Sequence, residues 1–321
     1  HTAMGYNPVD NYLYFAGDDS SASRGKMQPI VLTGSGEIPT SNGCGFTEFH
    51  NGRVESLNFV WDSDNSKLVL LYQKSSNNYS CARTVSSSGG CAATLGTELQ
   101  YTTNGSHLNA MSRACFNPTT GTIFQIGATI SGGVALFELE WAGSNYVFRN
   151  RYVILSSGTI TYPEVVYDPD TQKLVVIYTS GNDLKTKSIS PTGTSTSRSY
   201  TAGSPITLAN YLDYARAVYD TSVNKVVVLA TNTQTQRAKW VMLISVASNG
   251  TLTKEGTTTS TSMTSSSSRV GSHELVFDPL SETTIAFAVD AAQSGYFGCK
   301  RISVSGTSIT IGGWDRLRNS N

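Results

Sequence analysis

Six positions in this chain of 321 residues form the one register where chemistry could gather: Ala3, Asn58, Arg113, Glu164, Arg216 and Glu274. Each stands four residues before an Asp or Asn that follows an aromatic side chain, at Tyr6-Asn7, Trp61-Asp62, Phe116-Asn117, Tyr167-Asp168, Tyr219-Asp220 and Phe277-Asp278. From the third copy to the sixth the register reads plus, minus, plus, minus, in a chain with only 14% charged residues. Two chemistries fit. Glu164 and Glu274 are a carboxylate pair of the kind that cleaves glycosidic bonds, one as acid and one as nucleophile or base. Alternatively, Arg113 and Arg216 fork to the carboxylates on either side and build a ring of ion pairs, a polar floor on which Asn58, Arg113, Glu164, Arg216 and Glu274 meet a ligand. An arginine between two carboxylates favours their charged forms, which suits a nucleophile and disfavours a general acid.

Other clusters carry less. Asp62-Ser63-Asp64-Asn65-Ser66 begins like a calcium loop, but Lys67 stands where an EF-hand needs Gly, and no bidentate Glu follows at the required spacing. A turn is the simpler reading. Asp18-Asp19 reads as a solvated strand end and not as a cation site. His1, His50, His107 and His273 are widely separated and match no zinc spacing, and the chain holds no nucleophile elbow, Walker loop or H-E-x-x-H. These absences read against an enzyme and call for no metal and no cofactor. Among five cysteines, Cys81 and Cys91 flank a Ser/Gly turn and fit a disulfide across a hairpin, while the odd total leaves at least one thiol. Tyr12, Tyr14, Tyr72, Tyr101, Tyr146, Tyr200 and Tyr211 stand out among 16 tyrosines as candidates for an exposed sugar- or protein-binding face.

What positions these residues is a repeat. Each aromatic–Asp/Asn pair is followed by a four-residue turn and then an apolar run, which opens at Tyr12, Lys67, Thr122, Lys173, Lys225 and Thr283. The anchors lie 55, 55, 51, 52 and 58 residues apart, a period that marks β-propeller blades. Val165–Tyr167 and Leu174–Tyr178 are β-branched and aromatic runs that suit strands buried on both faces. Asp-Pro-Asp-Thr-Gln between them is turn chemistry, with Asp accepting backbone N–H groups and Pro presetting φ. Third strands are expected at Ile30–Thr33, Cys81–Val85, Val134–Trp141, Leu184–Ser190, Lys239–Val246 and Phe297–Val304, and a more polar fourth strand closes each unit. The expected fold is all-β, a single six-bladed β-propeller of four-stranded antiparallel blades over residues 1–321, with blades near 1–50, 51–105, 106–157, 158–208, 209–268 and 269–321. The Ser/Thr tract from Thr257 to Ser268 reads as a loop insertion between the last two blades.

Net charge is zero and no basic stripe occurs, which excludes a nucleic-acid partner. No run of 18 apolar residues is long enough for a transmembrane helix. His1 leads almost directly into a strand, as in a mature or trimmed chain. Few charges, with Ser, Thr, Gly and Asn in their place, suit a β-rich protein outside the cell or on a particle surface.

The segment Val-Tyr-Asp-Pro-Asp-Thr-Gln-Lys-Leu-Val-Val-Ile-Tyr at 166–178 and the hairpin Val-Ser-Gly-Thr-Ser-Ile-Thr-Ile-Gly at 304–312 resemble repeats of tail and structural proteins of marine bacteriophages. The resemblance covers all six repeats in outline. It implies a propeller in a particle or cell-surface setting with a role in binding or assembly, and it carries no catalytic residues. The expected function is a non-enzymatic extracellular or virion-surface module that recognises a glycan or protein surface, or other subunits of a particle. A carbohydrate-binding lectin and a glycoside hydrolase that uses the channel carboxylates are the alternatives.

Overall fold

The structure is a computed structural model that describes residues 2–19, 21–31, 44–87, 92–102, 113–129, 132–158, 160, 162–194, 196–232, 239–260, 273–290, 296–313 and 315–316. Of the residues singled out above, His1, Cys91, His107 and the Ser/Thr tract beyond residue 260 lie outside that set. Strands β1 (Thr2–Asn7), β2 (Tyr12–Asp19), β3 (Arg24–Val31) and β4 (Thr47–His50) make the first blade, paired in chain order. The second holds β5 (Val54–Asp62), β6 (Lys67–Lys74), β7 (Tyr79–Ser87) and β8 (Ala93–Leu95), with β9 (Leu99–Gln100) also on β7. The third holds β10 (Arg113–Asn117), β11 (Thr122–Ala128), β12 (Val134–Trp141) and β13 (Tyr146–Leu155). The fourth holds β14 (Glu164–Asp168), β15 (Lys173–Ser180), β16 (Asp183–Thr192) and β17 (Ser199–Ala202), with β18 (Ile206–Asn210) also on β16. The fifth holds β19 (Leu212–Asp220), β20 (Lys225–Asn232), β21 (Lys239–Val246) and β22 (Leu252–Ser260). The sixth holds β23 (His273–Asp278), β24 (Thr283–Asp290), β25 (Tyr296–Ser305) and β26 (Ser308–Ile311), with β27 (Asp315–Arg316) also on β25. These six antiparallel meanders are the blades of a six-bladed β-propeller. They fall into two compact units, His1–Gly158 with Gly193–Arg198, and Thr159–Thr192 with Ser199–Asn321.

The Asp or Asn anchor explains the repeat. Its side-chain oxygen accepts the backbone N–H two residues on, at 3.0 Å for Val9 on Asn7, Thr119 on Asn117, Asp170 on Asp168 and Ser222 on Asp220, and at 3.1 Å for Leu280 on Asp278. Asp62 accepts from Asn65 instead, at 3.1 Å. The turn then closes on a left-handed residue four places after the anchor: Asn11, Ser66, Gly121, Gln172, Asn224 and Glu282, with φ between 48° and 61°. The next residue opens the second strand in every blade. In the second to fifth blades the second strands, β6, β11, β15 and β20, are buried on both faces, as their apolar runs require.

The anchors do more than cap. Asn7, Asp62, Asn117, Asp168 and Asp220 are all buried. Tyr146 of the third blade donates its hydroxyl to Asp62 of the second. Thr284 Oγ1 of the sixth donates to Asp220 Oδ2 of the fifth at 3.1 Å, and Asn7 Nδ2 donates to the Val85 carbonyl of the second blade at 3.4 Å. The aromatic beside the anchor fills the wedge between sheets: Trp61 packs with Tyr14, Ala16 and Met27 of the blade before it, Phe116 with Val69 and Leu71, and Tyr219 with Val175 and Ile177. Tyr6 differs, standing 44% exposed.

Three expectations are corrected. The third strand of the first blade starts at Arg24, well before Ile30, because Asp19 closes a tight turn by accepting the N–H groups of Ser21 and Ala22 and pairing with Lys26 at 2.6 Å. Asp18 is equally occupied, with Arg53 at 3.3 Å and the Val54 N–H at 3.2 Å. Four of the seven tyrosines taken for a surface, Tyr14, Tyr72, Tyr101 and Tyr146, are buried; their hydroxyls reach Asp10, Glu98, Gln125 and Asp62, which satisfies the polar tip inside the sheet stack. Cys81 is a buried thiol and not half of a Cys81–Cys91 disulfide: its side chain belongs to the apolar wedge between the first two blades, and Cys44 is the residue found disulfide-bonded.

Within the first unit, Arg198 Nη2 meets Glu138 Oε1 at 2.9 Å with both side chains almost wholly buried, at 3% and 1% exposure. Removing one partner of such a pair strands a buried charge. Arg198→Ala is expected to cost about 3–5 kcal/mol by chemical denaturation. Gly121→Ala, which places a Cβ at a φ of +61°, is expected to cost about 1–2 kcal/mol in the same assay.

Candidate functional site

The second unit brings three of the register residues together. β19 places the Arg216 guanidinium between two carboxylates: Nη1 is 3.9 Å from Glu164 Oε2 on β14, and Nε is 3.5 Å from Glu274 Oε2 on β23. Nη1 also donates to the Ala215 carbonyl at 2.8 Å. The arrangement is asymmetric, with side-chain exposures of 12% for Arg216, 7% for Glu164 and 46% for Glu274. One carboxylate is therefore a buried counterion and the other faces solvent. Asn58 and Arg113 lie in the first unit, Asn58 buried on β5 and Arg113 half-buried at the start of β10. Among the described residues, no three His, Cys, Asp or Glu side chains converge as a metal set.

A second feature had no signal in the repeat. Two residues before the register, Ser56, Tyr162 and Tyr214 are all left-handed, with φ of 53°, 45° and 53°. In β5 and β19 the ladder slips there, between Glu55 and Asn58 and between Asp213 and Arg216. These are β-bulges, which bend a strand end and re-aim its side chains. Asp213 holds the bulge in β19: its Oδ1 accepts the Tyr214 N–H at 2.8 Å and the Thr179 hydroxyl of β15 at 3.0 Å. The Tyr214 ring stacks on Tyr162 of the neighbouring blade, centroids 3.9 Å apart and planes 26° from parallel. Burial, then Tyr214 and Asp213, hold the Tyr162 hydroxyl above its ordinary range, with Arg216 opposing. Tyr211, also left-handed at 57°, and Tyr214 are 41% and 39% exposed.

Beneath the bulge lies a buried basic pair. Lys239, at 0% exposure, donates to the Thr231 hydroxyl, and its Nζ is 3.2 Å from His273 Nδ1. Burial, reinforced by the Arg216 charge, pulls the lysine down to about 7. Burial also holds His273 well below its usual range, with Lys239 and Arg216 adding to the effect and the backbones of Tyr214 and Leu229 opposing it. Sequence reasoning passed over both residues, because a lysine at a strand start and a lone histidine look solvated until the sheets are packed.

No protein-family profile matches this chain, and no curated protein matches it in sequence. By structure it is similar to the periplasmic gluconolactonase of Pseudomonas aeruginosa, with a TM-score of 0.64 and 10% identity over 99% of this chain and 84% of that one. It is similar to a candidate 6-phosphogluconolactonase from Bacteroides uniformis, with a TM-score of 0.63 and 10% identity over 96% and 83%. The SapL1 lectin in complex with alpha methyl fucoside follows, with a TM-score of 0.53 and 8% identity over 99% and 96%. At these identities the likeness is one of fold, and the class it defines with the six sheets is the β-propeller.

Two outcomes follow from the basic pair and the ion pair. Between about pH 7 and the ordinary lysine value of 10.5, the unfolded chain holds a proton that folded Lys239 has released, so the Lys239 contribution to stability rises with pH through that window and is lowest below it. Lys239→Met is expected to stabilise the protein at pH 6 by several kcal/mol, with the gain shrinking by about 1.4 kcal/mol per pH unit toward pH 10, as read by urea denaturation across that range. Arg216→Ala removes the cation beside buried Glu164 and leaves Glu274 to solvent, so its cost is expected to be about 2–3 kcal/mol, below that of Arg198→Ala in the same assay.

Proposed function

We propose that this chain is a non-enzymatic recognition module, acting outside the cell or on a particle surface, that binds a glycan or protein surface beside Arg216 and Glu274. The observation that carries the reading is the Arg216 guanidinium lying between Glu164 and Glu274. Acid–base hydrolysis needs two carboxyls that both reach the substrate, and here Glu164 is buried at 7% side-chain exposure while Glu274 faces solvent. A fixed guanidinium beside a solvent-facing carboxylate and aromatic rings instead supplies donors, an acceptor and an apolar surface around one point, which is what recognition requires. The lectin among proteins of this fold, bound to alpha methyl fucoside, is consistent with that use, and the fold likeness to gluconolactonases transfers no chemistry at 10% identity. The surface setting is supported by the low charge content and by the likeness of residues 166–178 and 304–312 to repeats of marine phage tail proteins.

Glu164→Gln and Glu274→Gln should keep the fold, and binding should persist in at least the Glu164 variant. A panel of aryl glycosides and lactones should yield no product with the wild-type chain. Turnover in the wild type that disappears in either variant would replace this reading with the hydrolase.

A further inference from the structure

Eleven non-glycine residues have a positive φ among the described residues. Five of them, Asn11, Ser66, Gln172, Asn224 and Glu282, end the six anchor turns, where Gly121 is the sixth. Of the remaining six, three are tyrosines: Tyr162 and Tyr214, whose rings stack, and Tyr211, three residues before Tyr214 in the chain. A left-handed backbone is uncommon for a bulky side chain and costs free energy that glycine would save. The blade does not demand the bulk, since β5 accepts Ser56 at the equivalent bulge. Strained positions that the fold does not require concentrate where a protein does its work.

We infer that Tyr211 and Tyr214, with Tyr162 stacked behind, are the platform of a saccharide site that takes the C–H face of a neutral pyranose, with Asp213, Arg216 and Glu274 around its rim for the hydroxyls. The inference rests on the binding-module reading and supplies its ligand class and its residues. Tyr214 and Tyr211 each keep about two-fifths of their surface open, while the other face of the Tyr214 platform is fixed by Tyr162 at 3.9 Å. A ring held from behind by stacking, on a backbone whose N–H is fixed by Asp213, loses little freedom when a ligand lands on it. The rim combines the Arg216 donors with carboxylate acceptors, matching hydroxyls that donate and accept at once. The rim sets three carboxylates, Asp213, Glu164 and Glu274, against the one Arg216 guanidinium, an excess of negative charge that repels anionic sugars and favours neutral ones.

Glycine separates this role from a structural one. Tyr214→Gly removes the ring and relaxes the backbone, while Tyr214→Asn keeps a residue that tolerates the left-handed region. Wild-type and variant proteins would be passed over an array of immobilised neutral oligosaccharides and polysaccharides, with melting temperature and circular dichroism measured alongside. The expected result is saturable wild-type binding that changes little up to about 0.5 M salt, where exposed charges are screened. It should fall at least tenfold in both variants and in Tyr211→Gly, with melting temperatures within a few degrees of wild type. Variants that bind like the wild type would overturn this site and leave the module reading standing. Binding that collapses with salt would overturn the neutral class. A wild-type chain that binds no saccharide on the array would overturn the inference together with the glycan reading, and retention of a protein partner instead would point to the other recognition role.

Discussion

The Asp or Asn at the end of each inner strand, buried in five of the six blades, is the interaction on which the blades depend. One oxygen fixes the turn by accepting a backbone N–H just ahead, and the left-handed residue four places on sends the chain back as a strand. In Asp62 and Asp220 the second oxygen is taken by a hydroxyl of the following blade, and in Asn7 the amide nitrogen reaches the next blade's backbone. A buried acceptor has few ways to be satisfied, so the same side chain sets the hairpin register and the spacing of neighbouring sheets. The aromatic preceding it fills the wedge that this spacing leaves. Local turn chemistry and packing between sheets are thus carried by two adjacent residues.

That coupling explains what was legible. Second-strand starts fell where the turn placed them, from Tyr12 to Thr283, because they sit at a fixed distance from a side chain whose role is local. Third and fourth strands were less well marked. The first blade's third strand begins at Arg24 through a tight turn that Asp19 closes. The charged register was readable as alternation, and Arg216 does lie between Glu164 and Glu274, but the inequality of those carboxylates was not, since exposure depends on the loops above them. The bulge at Tyr214 was hidden altogether. No propensity favours tyrosine in a left-handed conformation, so the residue type itself argued against the geometry it adopts.

The second unit therefore joins two opposite kinds of constraint. Its lower layers are regular antiparallel ladders. Its rim and the layer just beneath hold features that cost stability: left-handed tyrosines and a half-exposed carboxylate on a partly buried arginine above, and below them Lys239, buried with a hydroxyl and an imidazole. Regular blades are what make such a rim tolerable, because the ladder below the bulge resumes its register within two residues.

Cys81 has a use that its surroundings create. Burial, with Glu98 adding to it, pushes its thiol up to about 12, so at neutral pH it is neither ionised nor within reach of solvent. Alkylating reagents and oxidants act on exposed thiolates. This sulfur can be modified only when the apolar wedge between the first two blades parts, so the rate of its labelling is a clock for that opening, built into the chain without any added probe.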